Sequence, residues 1–243
     1  MKQALSALLF LSTGICGHSQ VQQGRIVYEQ KIDVWRQVKD ENTRNMIPQY
    51  TTSRFELDFN RDESLFRHLP DEEDIRDKAG DDGDRHFVRV NMGGNTVTYH
   101  NYTTQQSIEQ RELGPRKYLI TDSLQHRDWK LDGETRTIKG YTCHKALGKD
   151  GQGAAVVAWY TEDLPTPAGP GPYGGLPGLI LELNINDGEI VYTAQDIGTG
   201  TEGKDLVRAP TEGKHIGRKE FQKMMDDQMG PAGQGPRIRI IRN

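Results

Sequence analysis

The sequence has little cysteine, no strong excess of either charge and no long apolar run in its body. Each shortage excludes a class of protein. Its 243 residues contain two cysteines, too few for a scaffold held by several disulfides. The 31 Lys and Arg against 35 Asp and Glu give a net charge of -4, and the two signs are mixed along the chain. Nucleic-acid binding needs a basic stripe, so we expect no nucleic-acid partner.

The N-terminus has the pattern of an export signal. Lys2 precedes an apolar run at residues 4–11, and residues 17–20 (GHSQ) include small residues suited to signal peptidase. The run is well short of the roughly 20 residues that span a bilayer as a helix. The pattern therefore predicts a signal peptide over residues 1–20, cleaved near residues 19–20, and a periplasmic or secreted protein with no transmembrane segment.

The two cysteines have different expected fates. Cys16 lies in the predicted signal peptide, and Ile15 stands before it where a lipoprotein box has a small residue, so lipidation is disfavoured. Cleavage then leaves Cys143 alone and rules out an internal disulfide. Stability must come from burial of a core.

The mature chain, residues 21–243, reads as strands separated by turns. Residues 54–59 alternate so that their apolar side chains share one face, and residues 64–69 can return antiparallel. Residues 86–92 and 96–102 flank a compact Gly-Gly-Asn turn. Asp-Gly pairs predict two further hairpins. The first would join residues 127–131 to 135–138, and the second would join residues 179–185 to 190–195.

Three segments interrupt the strand pattern. Residues 71–85 form an acidic stretch without the spacing of an EF-hand, which favours a solvated, mobile insertion over a calcium loop. Residues 218–229 have an apolar stripe at helical spacing, and residues 230–243 form a Gly/Pro-rich and basic tail. The expected fold is all-β: a single domain with a strongly curved antiparallel sheet or incomplete barrel and one short C-terminal helix.

Catalytic and metal motifs are weak. The chain has no zinc-protease helix, nucleophile elbow or dinucleotide loop, so we assign no catalytic residue and no cofactor. Cys143 and His144 are adjacent in a predicted strand and point to opposite faces, which favours a buried structural thiol. A hydrolytic or thiol enzyme remains an alternative. It would need a polar cluster around this pair or around Glu162 and Asp163.

Soft metal ligands are concentrated near the C-terminus. The weak candidates for Cu(I) are His215, Met224, Met225 and Met229. Met225 and Met229 share a stripe with Phe221, which is typical of a core-facing helix. We therefore favour core packing and assign no metal site.

A long loop rich in glycine and proline follows a predicted strand that ends in Trp159 and Tyr160. Such a loop can be ordered without regular hydrogen bonding and is often functional. The predicted binding residues are Trp159, Tyr160, Pro172, Tyr173, Gly175, Leu176, Pro177 and Gly178. Aromatic side chains beside rigid backbone are good binding anchors. A structural interpretation is compatible with this one: a tight turn that places Leu176, Leu179 and Ile180 in the core.

The loop carries a family resemblance. GLPGLI at residues 175–180, preceded by KGYTCHKA at 139–146 and AWYT at 158–161, resembles the GLPGLI family of exported Gram-negative envelope proteins. The specific resemblance covers about residues 138–183. It implies a curved antiparallel sheet and an undefined biochemical role. Some members lie beside genes for TonB-dependent outer-membrane transport. The segment around Trp159 also resembles, more weakly, periplasmic lipoprotein-carrier half-barrels.

Three functions follow as hypotheses. The first is a periplasmic binding or accessory protein whose partner is an outer-membrane transporter or another envelope protein. The second is a carrier of a hydrophobic small molecule or lipid on the concave sheet face. The third is the enzyme described above.

Overall fold

The computed structural model describes residues 23–70, 96–113, 115–200 and 206–229. The predicted signal peptide, the acidic insertion at 71–85 and the tail at 230–243 lie outside the described residues. The predicted strand at residues 86–92 and its Gly-Gly-Asn turn also lie outside them.

Twelve strands and two α-helices make up the described part of the chain. The strands are β1 (Gln23–Asp33), β2 (Tyr50–Asn60), β3 (Glu63–Leu69), β4 (Val97–Asn101), β5 (Gln106–Leu113), β6 (Arg116–Ser123), β7 (Lys130–Ile138), β8 (Tyr141–Lys149), β9 (Ala155–Thr161), β10 (Leu179–Ile185), β11 (Ile190–Thr199) and β12 (Lys214–Ile216). The helices are a 3-10 turn at Val34–Arg36, α1 (Glu41–Arg44) and α2 (Arg218–Met229).

All twelve strands belong to one open sheet. Their order is β12-β6-β5-β4-β3-β2-β1-β11-β10-β9-β8-β7, so β12 and β7 are the edges. This confirms the predicted all-β single domain with one short C-terminal helix. The sheet is mixed rather than purely antiparallel, because β12 runs parallel to β6. Parallel neighbours need a long connection, and the chain between β6 and β12 includes the five strands β7 to β11.

Two predicted hairpins are confirmed. β2 pairs with β3, and Leu57 lies opposite Phe66 in the core. β10 pairs with β11 across a turn in which Asn186, Asp187 and Gly188 all have positive φ. Asn, Asp and Gly tolerate that conformation better than other residues, so the local sequence and the turn agree.

The hairpin predicted at Asp132-Gly133 is wrong. β7 runs straight through this pair, and a bulge places residues 132–134 opposite Lys145 alone. The chain reverses instead at Lys139 and Gly140, where φ is +50° and +85°. Positive φ at both central residues defines a type I′ turn, which matches the twist of the flanking strands. The Asp-Gly pair therefore forms a bulge in an edge strand.

The sheet carries apolar side chains on both faces. Leu65 and Phe66 are neighbours in β3 and point to opposite faces. Phe66 joins a cluster with Tyr28 and Leu57, whereas Leu65 packs with Tyr99 and Val207. The second cluster is covered by the segment that precedes β12, so both faces of β3 are buried.

A buried charge network also lies on the second face. Asp58 is fully buried, and its carboxylate accepts from Arg25 at 2.6 Å and from Arg67 at 3.0 Å. Glu56, two residues away on the same face of β2, pairs with the same two arginines. The guanidinium groups neutralise carboxylates that would otherwise be costly to bury.

Helix α2 packs against the sheet through residues of its predicted apolar stripe. Phe221 is buried against Tyr118, with ring centroids 5.8 Å apart, and Met224 and Met225 pack on the same cluster. The bounds of the helix match the prediction. Of the helices in the described ranges, none has the length and apolar character needed to cross a bilayer.

Candidate binding surface beside the β9–β10 loop

The loop between β9 and β10, residues 162–178, is held by its own backbone. Leu164 and Ala168 accept from the N–H groups of Leu179 and Ile180, both at 3.0 Å. Gly175 donates to Pro167 at 3.0 Å. These bonds join the loop to the start of β10 and to itself. A segment without regular secondary structure thereby gains fixed geometry.

Side chains anchor the loop from both ends. Thr166 donates its hydroxyl to the carbonyl of Asn60 at 2.9 Å, and the hydroxyl of Tyr28 donates to the carbonyl of Ile180 at 2.6 Å. Leu176, Leu179 and Ile180 are buried. This confirms that the hexapeptide places its apolar residues in the core.

Glycine is required at Gly178 by a close backbone approach. A Cβ built at this position would lie 1.9 Å from the carbonyl oxygen of Thr161. A backbone oxygen cannot move aside as a flexible side chain can, so a larger residue would force β9 and the loop apart. Gly175 has a different constraint, a φ of +84° with open space around it.

The predicted binding residues divide into buried anchors and an exposed rim. Trp159 and Tyr160 are buried on opposite faces of β9, and Leu176 and Gly178 are buried as well. The exposed rim consists of Pro172, Gly175 and Pro177, with Tyr173 half-buried beside them. Only the rim is accessible to a partner without rearrangement.

Tyr173 connects the rim to the segment before β7. The guanidinium of Arg127 lies 4.3 Å from the centre of its ring, within cation–π distance. Trp129 donates its indole N–H to the carbonyl of Gly174 at 2.9 Å. Burial raises the pKa of Tyr173, although Arg127 acts in the opposite direction, so the phenol is neutral at physiological pH.

An open depression lies next to this contact. Its volume is about 570 Å³. Its lining is Gln125, His126, Arg127, Asp128, Leu147, Gly148, Lys149, Asp150 and Gly151. Gly148 belongs to this lining, and a Cβ there would lie 2.9 Å from the ring of Trp129.

The sequence did not predict the participation of Arg127, Trp129 and Lys149. The main chain of Lys149 lies opposite Arg127 only after β7 and β8 have paired, 22 residues apart along the chain. The misplaced hairpin at Asp132-Gly133 hid this arrangement. The sequence pattern predicted a strand that contains Arg127 and Trp129, whereas β7 begins only at Lys130.

Cys143 has the environment of an unreactive thiol. It is fully buried, and burial raises its pKa to about 11. Arg136 lies across this face, with its guanidinium 4.0 Å from the ring of Trp159 and 2.6 Å from Glu182. His144 lies on the other face, beside Tyr160. The structure does not bring His144 to Cys143.

The soft metal candidates are also separated. His215 is exposed in β12, whereas its neighbour Ile216 packs with Met224 and Met225. Adjacent strand residues face opposite sides, so His215 points away from the two methionines. The side chain of Met229 lies outside the described residues. Among the residues described, no cluster of three or more His, Cys, Asp or Glu could hold a metal ion.

A polar row, defined here as Ser64, His100, Ser107 and Asp122, crosses β3 to β6. Each member lies opposite the next in register. The first three are buried, and burial lowers the pKa of His100 to about 4 although Glu109 acts against this shift. No hydrogen bond between His100 and a serine of the row is present among the described contacts. The row therefore lacks the contact of a nucleophile with its base.

The chain resembles known proteins in one segment and in its fold. A family model described as "Protein of unknown function (Porph_ging)" matches residues 148–182, which include β9 and the loop. Two structures of PNGF-II, in the C2 and P21 space groups, match 84% of this chain with 18% identity and a TM-score of 0.57. This chain spans 32% and 33% of the length of those chains.

The likeness to PNGF-II is too distant in sequence to show more than the fold. An uncharacterized conserved protein from Thermus thermophilus matches 82% of this chain and 91% of its own, with 9% identity and a TM-score of 0.40. No curated protein matches the chain.

Proposed function

We propose that this chain is an exported binding protein of the GLPGLI type that recognises another envelope protein through the rim of the β9–β10 loop. The observation that supports the proposal is the combination of fixed backbone and exposed side chains in one loop. The partner we propose is an outer-membrane transporter or a protein associated with one. Export places the chain in the periplasm or outside the cell.

Rigidity of the loop favours binding. An ordered loop loses little conformational entropy when a partner docks, so more of the contact energy appears as affinity. Tyr173 is the main anchor of the rim, because a half-buried aromatic side chain can bury its remaining surface without changing rotamer. Pro172 and Pro177 add rigid apolar surface on either side of it.

The test is affinity capture of a tagged, naturally exported copy from detergent-solubilised envelopes. The test variant is Tyr173→Ala, which removes the main anchor of the exposed rim and leaves the buried Leu176 in place. The matched control is Tyr50→Ala, because Tyr50 is an exposed tyrosine that also lies against a cation, the ammonium of Lys31 at 3.9 Å.

We expect the natural chain and the Tyr50 variant to capture the same membrane protein and the rim variant to lose it. Thermal unfolding of all three must show that each one folds. If the rim variant captures the same protein as the natural chain, the loop is not the recognition surface. Absence of any captured protein would count against the accessory function.

A carrier of a hydrophobic ligand is the second candidate, because the half-buried Phe55 and Tyr192 pack on the buried Phe66 at one sheet face. Phe55 stacks on Phe66 with ring centroids 5.1 Å apart, and Tyr192 meets both rings edge-on. Native mass spectrometry of exported protein tests it. A bound lipid that Phe55→Ser abolishes would support the carrier, and protein free of ligand in both samples would exclude it.

A further inference from the structure

The depression beside Tyr173 has cationic groups whose positions are set by the fold. Arg127 donates from Nη1 to the carbonyl of Lys149 at 3.0 Å, and its flat face lies on the ring of Tyr173. This hydrogen bond uses one of the five N–H donors of a guanidinium. A guanidinium held in this way keeps donors in a fixed fork, which suits a carboxylate.

Lys149 and Asp150 differ in the contacts that their charged groups make. Lys149 is exposed at the end of β8, and its ammonium has no ion pair among the described contacts. Asp150 instead uses one carboxylate oxygen to accept from the N–H groups of Gln152 and Ala154, at 2.9 and 2.8 Å. The acid therefore shapes the β8–β9 turn, but these backbone hydrogen bonds leave its negative charge in place beside the two cations.

Apolar surface lies beside the cations. The ring of Trp129 packs on Gly148 and the ring of Tyr173 on Arg127, both of which line the depression, and Pro172 is exposed next to Tyr173. An extended peptide places alternate side chains on opposite sides. A segment with alternating acidic and apolar residues could therefore set its carboxylates on Arg127 and Lys149 and its apolar side chains toward Tyr173 and Trp129.

We propose that the depression binds an extended acidic segment of the partner protein, with its carboxylates held by Arg127 and Lys149. This inference rests on the proposed function, because it names the partner chemistry of the same surface. Asp128 and Asp150 both lie in the lining and oppose such a ligand, and Asp128 is the more exposed of the two. Removal of its charge is therefore expected to strengthen binding, whereas removal of either cation weakens it.

The experiment measures fluorescence anisotropy of a labelled nine-residue peptide of alternating glutamate and valine. The probe for comparison replaces each glutamate by lysine. The protein is the exported full chain and the variants Arg127→Gln, Arg127→Lys, Lys149→Gln and Asp128→Asn. Lys219→Gln is the matched control, because Lys219 is an exposed lysine on α2 at the other end of the sheet.

We expect the acidic peptide to bind and the basic one not to bind. Arg127→Gln should weaken binding by about tenfold or more, which reflects loss of a charge-assisted bidentate contact. Arg127→Lys should restore part of the affinity, Lys149→Gln should weaken binding about threefold, and Asp128→Asn should strengthen it by a similar factor. Lys219→Gln should change nothing.

Two results would overturn the proposal. One is no binding of the acidic peptide at about 1 mM, the level of a very weak complex. The other is equal weakening by Lys219→Gln and Lys149→Gln, which would show only general charge attraction. Envelope capture separates this failure from failure of the proposed function. If Arg127→Gln still captures the protein that the rim variant loses, the binding function stands and the acidic ligand is wrong.

Discussion

The two ends of the sheet are stabilised in different ways. At the β9–β10 end, Leu164, Leu176 and Leu179 are buried around a loop that is held by backbone hydrogen bonds and close glycine contacts. At the β4–β6 end, His100 and Glu109 are buried instead. Arg218 of α2 pairs there with Glu109 and Asp122, both at 2.8 Å. One end depends on shape and the other on charge.

This difference predicts how each end responds to change. Apolar burial and backbone contacts do not titrate, so the loop end should keep its geometry over a wide pH range. Buried charged and polar groups depend on their partners and on their protonation states. The proposed rim lies at the loop end, where the loop itself is held by backbone and apolar contacts that do not titrate.

The largest effect should come from Gly178→Ala at the loop end. The added methyl would lie 1.9 Å from the carbonyl oxygen of Thr161, and its other near neighbours, Thr161 C and Glu162 Cα, are backbone atoms that cannot rotate away. We expect the free energy of unfolding to fall by about 3 kcal/mol or more. Urea unfolding monitored by tryptophan fluorescence measures this change.

Gly133→Ala is the control for this substitution. A Cβ at Gly133 meets nothing within 4 Å, and its φ is not in the left-handed region. We expect a change within about 0.5 kcal/mol, the range of ordinary surface substitutions. Equal destabilisation by the two alanines would show that the close approach at Gly178 does not govern loop stability.

The second effect is a pH dependence at the polar end. Burial lowers the pKa of His100 from 6.5 to about 4. Between these values the unfolded chain binds the proton and the folded chain does not, so stability present above pH 6.5 is lost as the pH falls toward 4. The expected slope is about 1.4 kcal/mol per pH unit.

Urea unfolding at pH 7, 6 and 5 checks this slope. The natural chain should lose more stability than His100→Gln over this range, because glutamine has no proton to bind. Asp122, whose pKa is lowered by Arg218 from 3.8, loses its contribution only at still lower pH. Identical slopes for the two proteins would contradict a buried neutral His100.

The third effect concerns the Arg218 contact of α2. Arg218→Met removes one partner of the buried Glu109. Because 40% of the arginine side chain is exposed, solvent screens part of this contact, and we expect the free energy of unfolding to fall by about 2 kcal/mol. In limited proteolysis, the protease should then cleave α2 earlier than it cleaves the strands of the sheet. Adding Glu109→Gln should recover part of the loss, and no recovery would mean that the pair does not act through charge.

The smallest effect is expected at Cys143. Cys143→Ala removes one buried sulfur and should cost about 1 kcal/mol. In the natural chain, a pKa raised from 9.0 to about 11 lowers the thiolate fraction about 100-fold near neutral pH, so a thiol probe should react slowly. Fast labelling of folded protein would contradict a structural role.

Local patterns predicted much of the fold and part of the candidate site. Alternation identified β2 and β3, and helical spacing identified α2 with its bounds, because in each case side-chain periodicity matches the element. β5 and β6 were missed. β5 places Ser107 and Glu109 on its buried side, so its buried face is polar and gives no apolar alternation.

In the β9–β10 loop, too, some features were predicted from the sequence and others were not. Its glycines and prolines predicted an ordered connection, and the burial of Leu176 was expected. The depression was not predicted, because it forms only where the pairing of β7 with β8 brings Arg127 to the carbonyl of Lys149. The turn between these strands falls at Lys139 and Gly140 rather than at the Asp-Gly pair. A local turn signal cannot decide between two sites when pairing with a third strand favours one of them.

The sequence alone determined the strand-rich class, the apolar stripe of α2 and the glycine-rich loop, because these depend on neighbouring residues. Tertiary structure decided which edge β12 joins, which face of β9 carries Trp159, and that Arg127 meets Tyr173. It also decided that Ser64, His100 and Ser107 of the polar row are buried. These features depend on contacts between residues far apart in the chain, and their energies come from burial and pairing that no local pattern contains.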